Sequence, residues 1–421
     1  MSSIVENPRG GCVLAGINAT LAALDRVCPI FHTGPGCCMQ TSASIALPVE
    51  LSGVSIPCSN MLEKEVVFGG IKKLETTVQG SLEVMDADAY FILTGCTAGI
   101  IGDDVQSVAE KFRAKGEQVY AIDTPGFAGD TNLGYEVAWN ALIDQVIEPM
   151  PKDEELVNIF GIIPGYDPYW RGNLEEIARI LKKLGLKVNT FFREHQGIEN
   201  VRKSSSAAMN IIVHPWLFKE PAEKYEEKFG VPYVRIPGLP IGATDTTKFV
   251  RTVAEALELD KKLVEQVIKE EEDYVYGYLE RGIGALGWKT LGVVGDASTT
   301  VGILRYLAND YGLTPKLAIV SEPLFRPEDK ERVEKQLTEL EYAKAPKVMF
   351  LSDQYDINDE ISKHEEITLF IGSANDREAA SYLDTQFYEV TFPVTSRFIF
   401  NKTIAGYRGS LTLIEDLFSN L

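Results

Sequence analysis

Apolar runs of strand length punctuate most of the chain: "DAYFILTG", "QVYAIDTPG", "LVNIFGIIPG", "LKVNTFF", "AMNIIVHP", "TLGVVGDA", "LTPKLAIVSEP", "KVMFLSD", "ITLFIGSA" and "FYEVTFPV". They are nearly continuous in apolar character rather than alternating, as strands covered on both faces must be. Stretches of helical period separate them. In "NLEEIARILKKLG" the residues Leu174, Ile177, Ile180, Leu181 and Leu184 fall on one face, and Gly185 ends the helix. Buried strands joined through helices pair as parallel neighbours. The pattern predicts an α/β fold of mainly parallel sheets flanked by helices.

The runs fall into three sets. A break near "EPMPKDEEL" (148–156) closes the first, and the helical "DKKLVEQVIKEEEDYVYGYLERG" precedes the "TLGVVGD" strand that opens the third. We expect three Rossmann-like lobes, 1–150, 151–288 and 289–421, the last ending in a C-terminal helix, around a shared groove. They match in pattern without repeating in sequence. The glycine-rich turns "GGIKKLE", "GWKTLGV" and "GDASTTVG" all miss the phosphate-loop pattern G-x-x-x-x-G-K-[ST]. "GDASTTVGILRYL" does follow a strand and open a helix, where backbone N–H groups could receive an anion, although such a junction is more often a plain turn.

A formal net charge of −20 argues against nucleic acid or anionic lipid as partners, which need Lys and Arg patches. The carboxylate surplus reads as solubility, with a basic docking partner as the alternative. No apolar run approaches the roughly 20 residues of a membrane span. "MSSIVENPRGG" lacks a basic region followed by a long apolar one. The expectation is a cytoplasmic protein with no membrane partner.

All six cysteines, Cys12, Cys28, Cys37, Cys38, Cys58 and Cys96, lie in the first quarter of the chain, whereas a disulfide framework would be spread through it. Free or metal-bound thiolates are the better reading. Cys12 follows Gly-Gly, Cys37 follows Gly-Pro-Gly in "HTGPGCC", and Cys96 ends "AYFILTG". Soft thiolates suit iron–sulfur clusters, and neighbouring glycines let backbone N–H groups approach the cluster sulfides. Cys28, in "LDRVCPIF", and Cys58 read as small buried hydrophobes. Three thiolates leave a four-coordinate cluster one ligand short, which points to a non-cysteine ligand or to sulfur from a second chain.

The succession of Cys12, "HTGPGCC", "CSNMLEKEVVFGG", "TGCTAGIIGDDVQSV", "TPGFAG" and "NIFGIIPGYDPYWRGNLEEIARILKKLG" resembles the component-1 superfamily of nitrogenases and nitrogenase-like reductases over essentially the whole chain. In that family H-G-x-x-G-C, V-F-G-G and C-x-x-x-x-I-G-D-D stretches follow one another in this order. "IIPGYDPYWRGNL" and "FPVTSRFIFNKTIAGYRGSLTLIEDLF" are similar to β-type chains, while "EKEVVFGGIKKL" and "GIIGDD" lean toward α-type chains. The second half weighs more, giving a short β-type subunit.

The resemblance implies that Cys12, Cys37 and Cys96 hold half of an eight-iron, seven-sulfide P-cluster shared with an α-type partner, with Cys37 as the bridging ligand. It implies an α2β2 heterotetramer supplied with electrons by a separate ATP-hydrolysing iron–sulfur reductase. The substrate-reducing cofactor would then belong to the α-type chain, because His195, His214 and His364 have no partner thiolate here and read as ordinary histidines. Cys38 stays open between an extra ligand and a packed thiol. Molybdenum-nitrogenase β-type chains carry a serine in T-P-S-F, where this chain has Gly126, a side chain that cannot ligate; a turn needing positive φ is the other reading of that glycine. That departure, the short segment before Cys12 and "GPGCC" favour an enzyme such as a methylthio-alkane reductase. The rival readings are a cofactor-assembly scaffold subunit and a self-paired reductase of tetrapyrroles with a four-iron, four-sulfide cluster.

Overall fold

The computed structural model describes residues 5–42, 56–193, 195–279 and 287–419. Its strands form three sheets with parallel pairing throughout. The first contains β1 (Val27–His32), β2 (Ala89–Thr94) and β3 (Val119–Ile122) in that spatial order. The second contains β4 (Asp153–Phe160), β5 (Lys187–Asn189), β6 (Ala207–Ile212) and β7 (Tyr233–Arg235), ordered β5-β4-β6-β7. The third contains β8 (Thr290–Gly295), β9 (Thr314–Val320), β10 (Lys347–Phe350), β11 (Leu369–Gly372) and β12 (Gln386–Glu389), ordered β10-β9-β8-β11-β12. The second and third sheets reverse direction at β4 and β8, as doubly wound sheets do.

The apolar runs became strands for the expected reason. Every residue of β2 is buried, and its side chains divide between two cores: Phe91 and Leu93 face one, Tyr90 and Ile92 the other. The helix Trp170–Lys183 buries Leu174, Ile177, Ile180 and Leu181, and Gly185 follows at φ +87°. Two strands lack the expected signal. β1 contains Pro29, which is tolerated because β1 is the end strand of its sheet, and β7 is too short to read.

One apolar core runs through all three sheets, and both ends of the chain cross between them. The Asp353 carboxylate accepts the Glu6 and Asn7 N–H groups at 2.7 and 3.1 Å, and buried Arg9 pairs with buried Asp376. The C-terminal helix Gly406–Phe418 packs against helices Gly242–Ala256, Lys261–Leu279 and Trp170–Lys183, which belong to the second set of elements. Asn173 Oδ1 accepts the Ile404 and Ala405 N–H groups to hold that return. A cavity of about 820 Å³, lined by Gly10, Tyr166, Asp296, Glu322 and Phe392 among others, opens where the three sheets meet. Among the described residues, no helix is long and apolar enough to cross a membrane.

Candidate metal centre

Because the strands of a sheet run parallel here, the turns leaving their C-terminal ends gather at one edge. His32 and Thr94 are register partners at the ends of β1 and β2, so the helix Pro35–Ser42, with Cys37 in its first turn, starts beside the helix Cys96–Ile101. β3 leads to the same edge through Thr124, Pro125 and Gly126. The turns are cross-bonded: Gly95 N–H donates to His32 O at 3.0 Å, and Thr124 Oγ1 to Thr94 O at 2.6 Å.

Cys12 arrives from another direction. It is the extended N-cap of the helix Val13–Ala22, and Val13 N–H donates to Gly129 O at 3.0 Å. That helix crosses Thr131–Gln145 at glycines: a Cβ at Gly16 would stand 2.1 Å from Thr131 O, and one at Gly134 would stand 2.4 Å from Val13 O. The close crossing sets Cys12 above the sheet edge.

At that edge a Cβ on Gly126 would lie 2.9 Å from Cys12 Sγ and 3.1 Å from Cys96 Sγ. Two sulfurs from separate elements therefore flank one glycine. Gly126 is outside the left-handed region, so the positive-φ reading of this turn is corrected: the glycine answers to the approach of two sulfurs. Cys12 and Cys96 are half-buried, and Cys37 is exposed. The structure brings the first two together and puts the third on the same edge, opening outward. All three stand at the first turn or N-cap of a helix, an end that favours negative charge.

The donor set fits a thiolate-held cluster, since its sulfurs are accessible and glycines leave room between them. Exposed Met39, Ile100 and Phe127 lie on these elements, and exposed Val67 and Phe68 on the helix Glu63–Phe68, which packs beside Cys96–Ile101.

Sequence reasoning assigned no role to the group that knits these motifs together. His32 is fully buried, with Nδ1 2.9 Å from Ser59 Oγ and Nε2 2.8 Å from Asp103 Oδ2. Asp103 also accepts the Gly70 N–H at 2.9 Å. A Cβ on Gly70 would stand 2.7 Å from Asp103 Oδ2 and 2.8 Å from His32 Cε1. Burial, opposed by Asp103, holds the His32 pKa below its ordinary value, so the neutral ring accepts from Ser59 and donates to Asp103. Each partner lies in one of the motifs "CSNM", "VFGG" and "GIIGDD", and that coincidence was the available signal.

Cys28 lies buried in β1, its thiol pushed up to about 12 by burial, as expected of a small hydrophobe. Cys38 and Cys58 differ from it: both are half-buried and lie side by side, with Cys38 Sγ 3.8 Å from Ile56 O. Their mutual contact raises the Cys38 thiol, together with burial, and draws Cys58 down to about 7 against burial, helped by the Asn60 N–H and Lys73.

The other histidines serve local roles. His195 is exposed at φ +64°, and His364 sits between Glu360 and Glu366 at 3.0 and 2.9 Å. His214, Asp296 and Glu322 cluster with their ligand atoms within 4.8 Å of one another. His214 Nδ1 accepts the Trp216 and Leu217 N–H groups at 3.4 and 3.2 Å. His214 Nε2 lies 3.7 Å from Glu322 Oε1. At the "GDASTTVG" helix, Asp296 accepts the Thr299 N–H and Glu322 the Ala297 N–H. Two carboxylates already occupy the place an anion would take.

The family model described as Nitrogenase component 1 type Oxidoreductase matches residues 12–421. The chain is 25% identical to the nitrogenase molybdenum-iron protein beta chain of Methanococcus maripaludis, covering 98% of this chain and 93% of that one. It is 26% identical to the nitrogenase iron-molybdenum cofactor biosynthesis protein NifE of Clostridium pasteurianum, covering 78% of this chain and 71% of the relative. Among solved structures, nitrogenase Cp1 at pH 6.5 superposes with a TM-score of 0.83 at 19% identity, covering all of this chain and 94% of the other.

Proposed function

From the premise that this chain belongs to the nitrogenase component 1 family of oxidoreductases, we propose that it is the electron-relaying β-type subunit of a nitrogenase-like reductase. Cys12, Cys37 and Cys96 would hold half of an eight-iron, seven-sulfide cluster at the boundary with an α-type subunit, in an α2β2 assembly. The observation that carries this reading is the convergence of Cys12 and Cys96 sulfurs on Gly126. When bound, the cluster supplies one-electron redox chemistry. The chain's own residues position the thiolates: His32, Ser59, Asp103 and Gly70 fix the turn before Cys37, and the glycine crossing of two helices fixes Cys12. The exposed apolar side chains around the edge are the surface for the α-type partner and for an ATP-hydrolysing iron–sulfur reductase. Residues 1–150, 151–288 and 289–421 are proposed as the three lobes, and a methylthio-alkane reductase is the proposed enzyme class.

The similarity to NifE supports a second reading, a cofactor-assembly scaffold subunit that carries a cluster without turning substrate over. The test is anaerobic co-purification with the α-type partner, followed by iron analysis and electron paramagnetic resonance after oxidation. Cys12→Ala, Cys37→Ala and Cys96→Ala should each lose iron and signal, whereas Cys28→Ala should keep both. Full iron in all three variants would falsify the ligand assignment. Turnover by the reconstituted complex separates reductase from scaffold. A cluster-loaded homodimer with four irons per cluster would replace both with the self-paired reading.

A further inference from the structure

Cys38 and Cys58 lie outside the proposed cluster, half-buried against the margin of the core. Cys38 is carried by the helix Pro35–Ser42, one residue past Cys37. Cys58 is carried by a segment lying along β1, where Phe31 N–H donates to Pro57 O at 2.8 Å and Ser59 N–H to Phe31 O at 2.9 Å. Two separate elements thus bring the thiols side by side. Cys58 Sγ also accepts the Asn60 N–H at 3.4 Å and lies 3.6 Å from Thr33 O. Cys38 Sγ lies 3.8 Å from Ile56 O. Cys28 shows what a packed thiol looks like here, being 4% exposed within β1. Cys38 and Cys58 differ in exposure, in polar contacts and in having each other.

We propose that Cys38 and Cys58 are a redox-active dithiol that closes reversibly to a disulfide, separate from the cysteines assigned to the cluster. The oxidant is a small-molecule disulfide. Cys58 sulfur, which receives the Asn60 N–H, attacks one sulfur of that disulfide and expels the other half as thiolate. Cys38 sulfur then attacks Cys58 sulfur and expels the second half. Two electrons pass from the protein dithiol to the external disulfide, and the two thiol protons leave with the two expelled thiolates. The new bond ties the helix that bears Cys37 to the segment whose Ser59 holds His32, so oxidation fixes the turn on which Cys37 stands.

The experiment exposes the full chain, purified anaerobically with the partners it retains, to glutathione disulfide and locates the modified cysteines by peptide mapping. Wild type should form a Cys38–Cys58 cross-link that dithiothreitol reverses, and Cys28→Ser should still form it. Cys38→Ser should trap glutathione on Cys58, because the resolving thiol is gone, whereas Cys58→Ser should leave Cys38 unmodified. Phenylarsine oxide, a dithiol reagent, should bind wild type stoichiometrically and lose that binding after oxidation, which tests the pair without any variant. A cross-link to Cys37, or both thiols staying reduced while Cys37 is glutathionylated, overturns the proposal. Iron content keeps the two assignments distinguishable: Cys38→Ser with wild-type iron leaves the dithiol separate, and loss of iron transfers Cys38 to the cluster and overturns it.

Discussion

Gly126 shows how much a missing side chain can carry. Its backbone accommodates an L residue, but the space its Cβ would take is held by Cys12 and Cys96 sulfurs. Gly126→Ser puts a hard oxygen beside both. If those sulfurs hold a cluster, the oxygen stabilises the oxidised iron and lowers the potential, each ~59 mV of a one-electron step corresponding to about 1.4 kcal/mol. Potentiometric titration of a fully metallated variant with an unchanged potential would place the cluster elsewhere. Asp310 is a second residue-scale case. Burial raises its carboxyl to about 6, and Oδ1 has no hydrogen-bond partner. A carboxyl raised on folding contributes stability that is complete below its unfolded value near 3.8 and is lost as pH rises through about 6. Asp310→Asn does not titrate, so its stability relative to wild type should improve between pH 5 and pH 7.5. The gain should be roughly 1.4 kcal/mol, the worth of the one pH decade between 5 and the folded pKa. Urea midpoints at the two pH values check this, and a pH-independent difference refutes it.

Among the elements, the decisive contact is the crossing of Val13–Ala22 over Thr131–Gln145. Glycine inside a helix costs roughly 1 kcal/mol relative to alanine, yet Gly16 and Gly134 both sit there because backbone faces backbone. Gly134→Ala should therefore destabilise rather than stabilise, by about 1–3 kcal/mol, the usual cost of overpacking. It should also displace Cys12, which caps the first of these helices. A variant as stable as wild type in chemical denaturation, with unchanged reactivity of Cys12 toward alkylation, would show that the crossing has room for a methyl group.

Across the whole molecule, both ends of the chain cross between the sheets. Residues 6–9 are anchored on Asp353 and Asp376, and the last helix returns to the second set of elements. Asp376→Ala leaves the Arg9 guanidinium buried without its counter-charge, an arrangement that typically costs about 3–5 kcal/mol. Thermal or denaturant unfolding should show that loss, and a shift below about 1 kcal/mol would mean that Arg9 escapes to solvent. Because Arg9 lies three residues before Cys12, loosening it should also raise Cys12 reactivity.

Runs such as "AYFILT" and the helical spacing of "NLEEIARILKKLG" determined the α/β class and the parallel pairing, because burial on two faces or one stripe is a local property of residue order. The succession of glycine-flanked cysteines likewise pointed to thiolate chemistry before any contact was known. β1 was illegible because Pro29 is acceptable only where a neighbour is lacking, which is a fact about sheet order. The Gly126 sulfurs, the His32–Asp103 pair and the contact of Cys38 with Cys58 were decided by tertiary structure alone. Each joins atoms that different elements carry to one edge, and distance across an edge is set by register and helix crossing, which no single stretch of sequence contains.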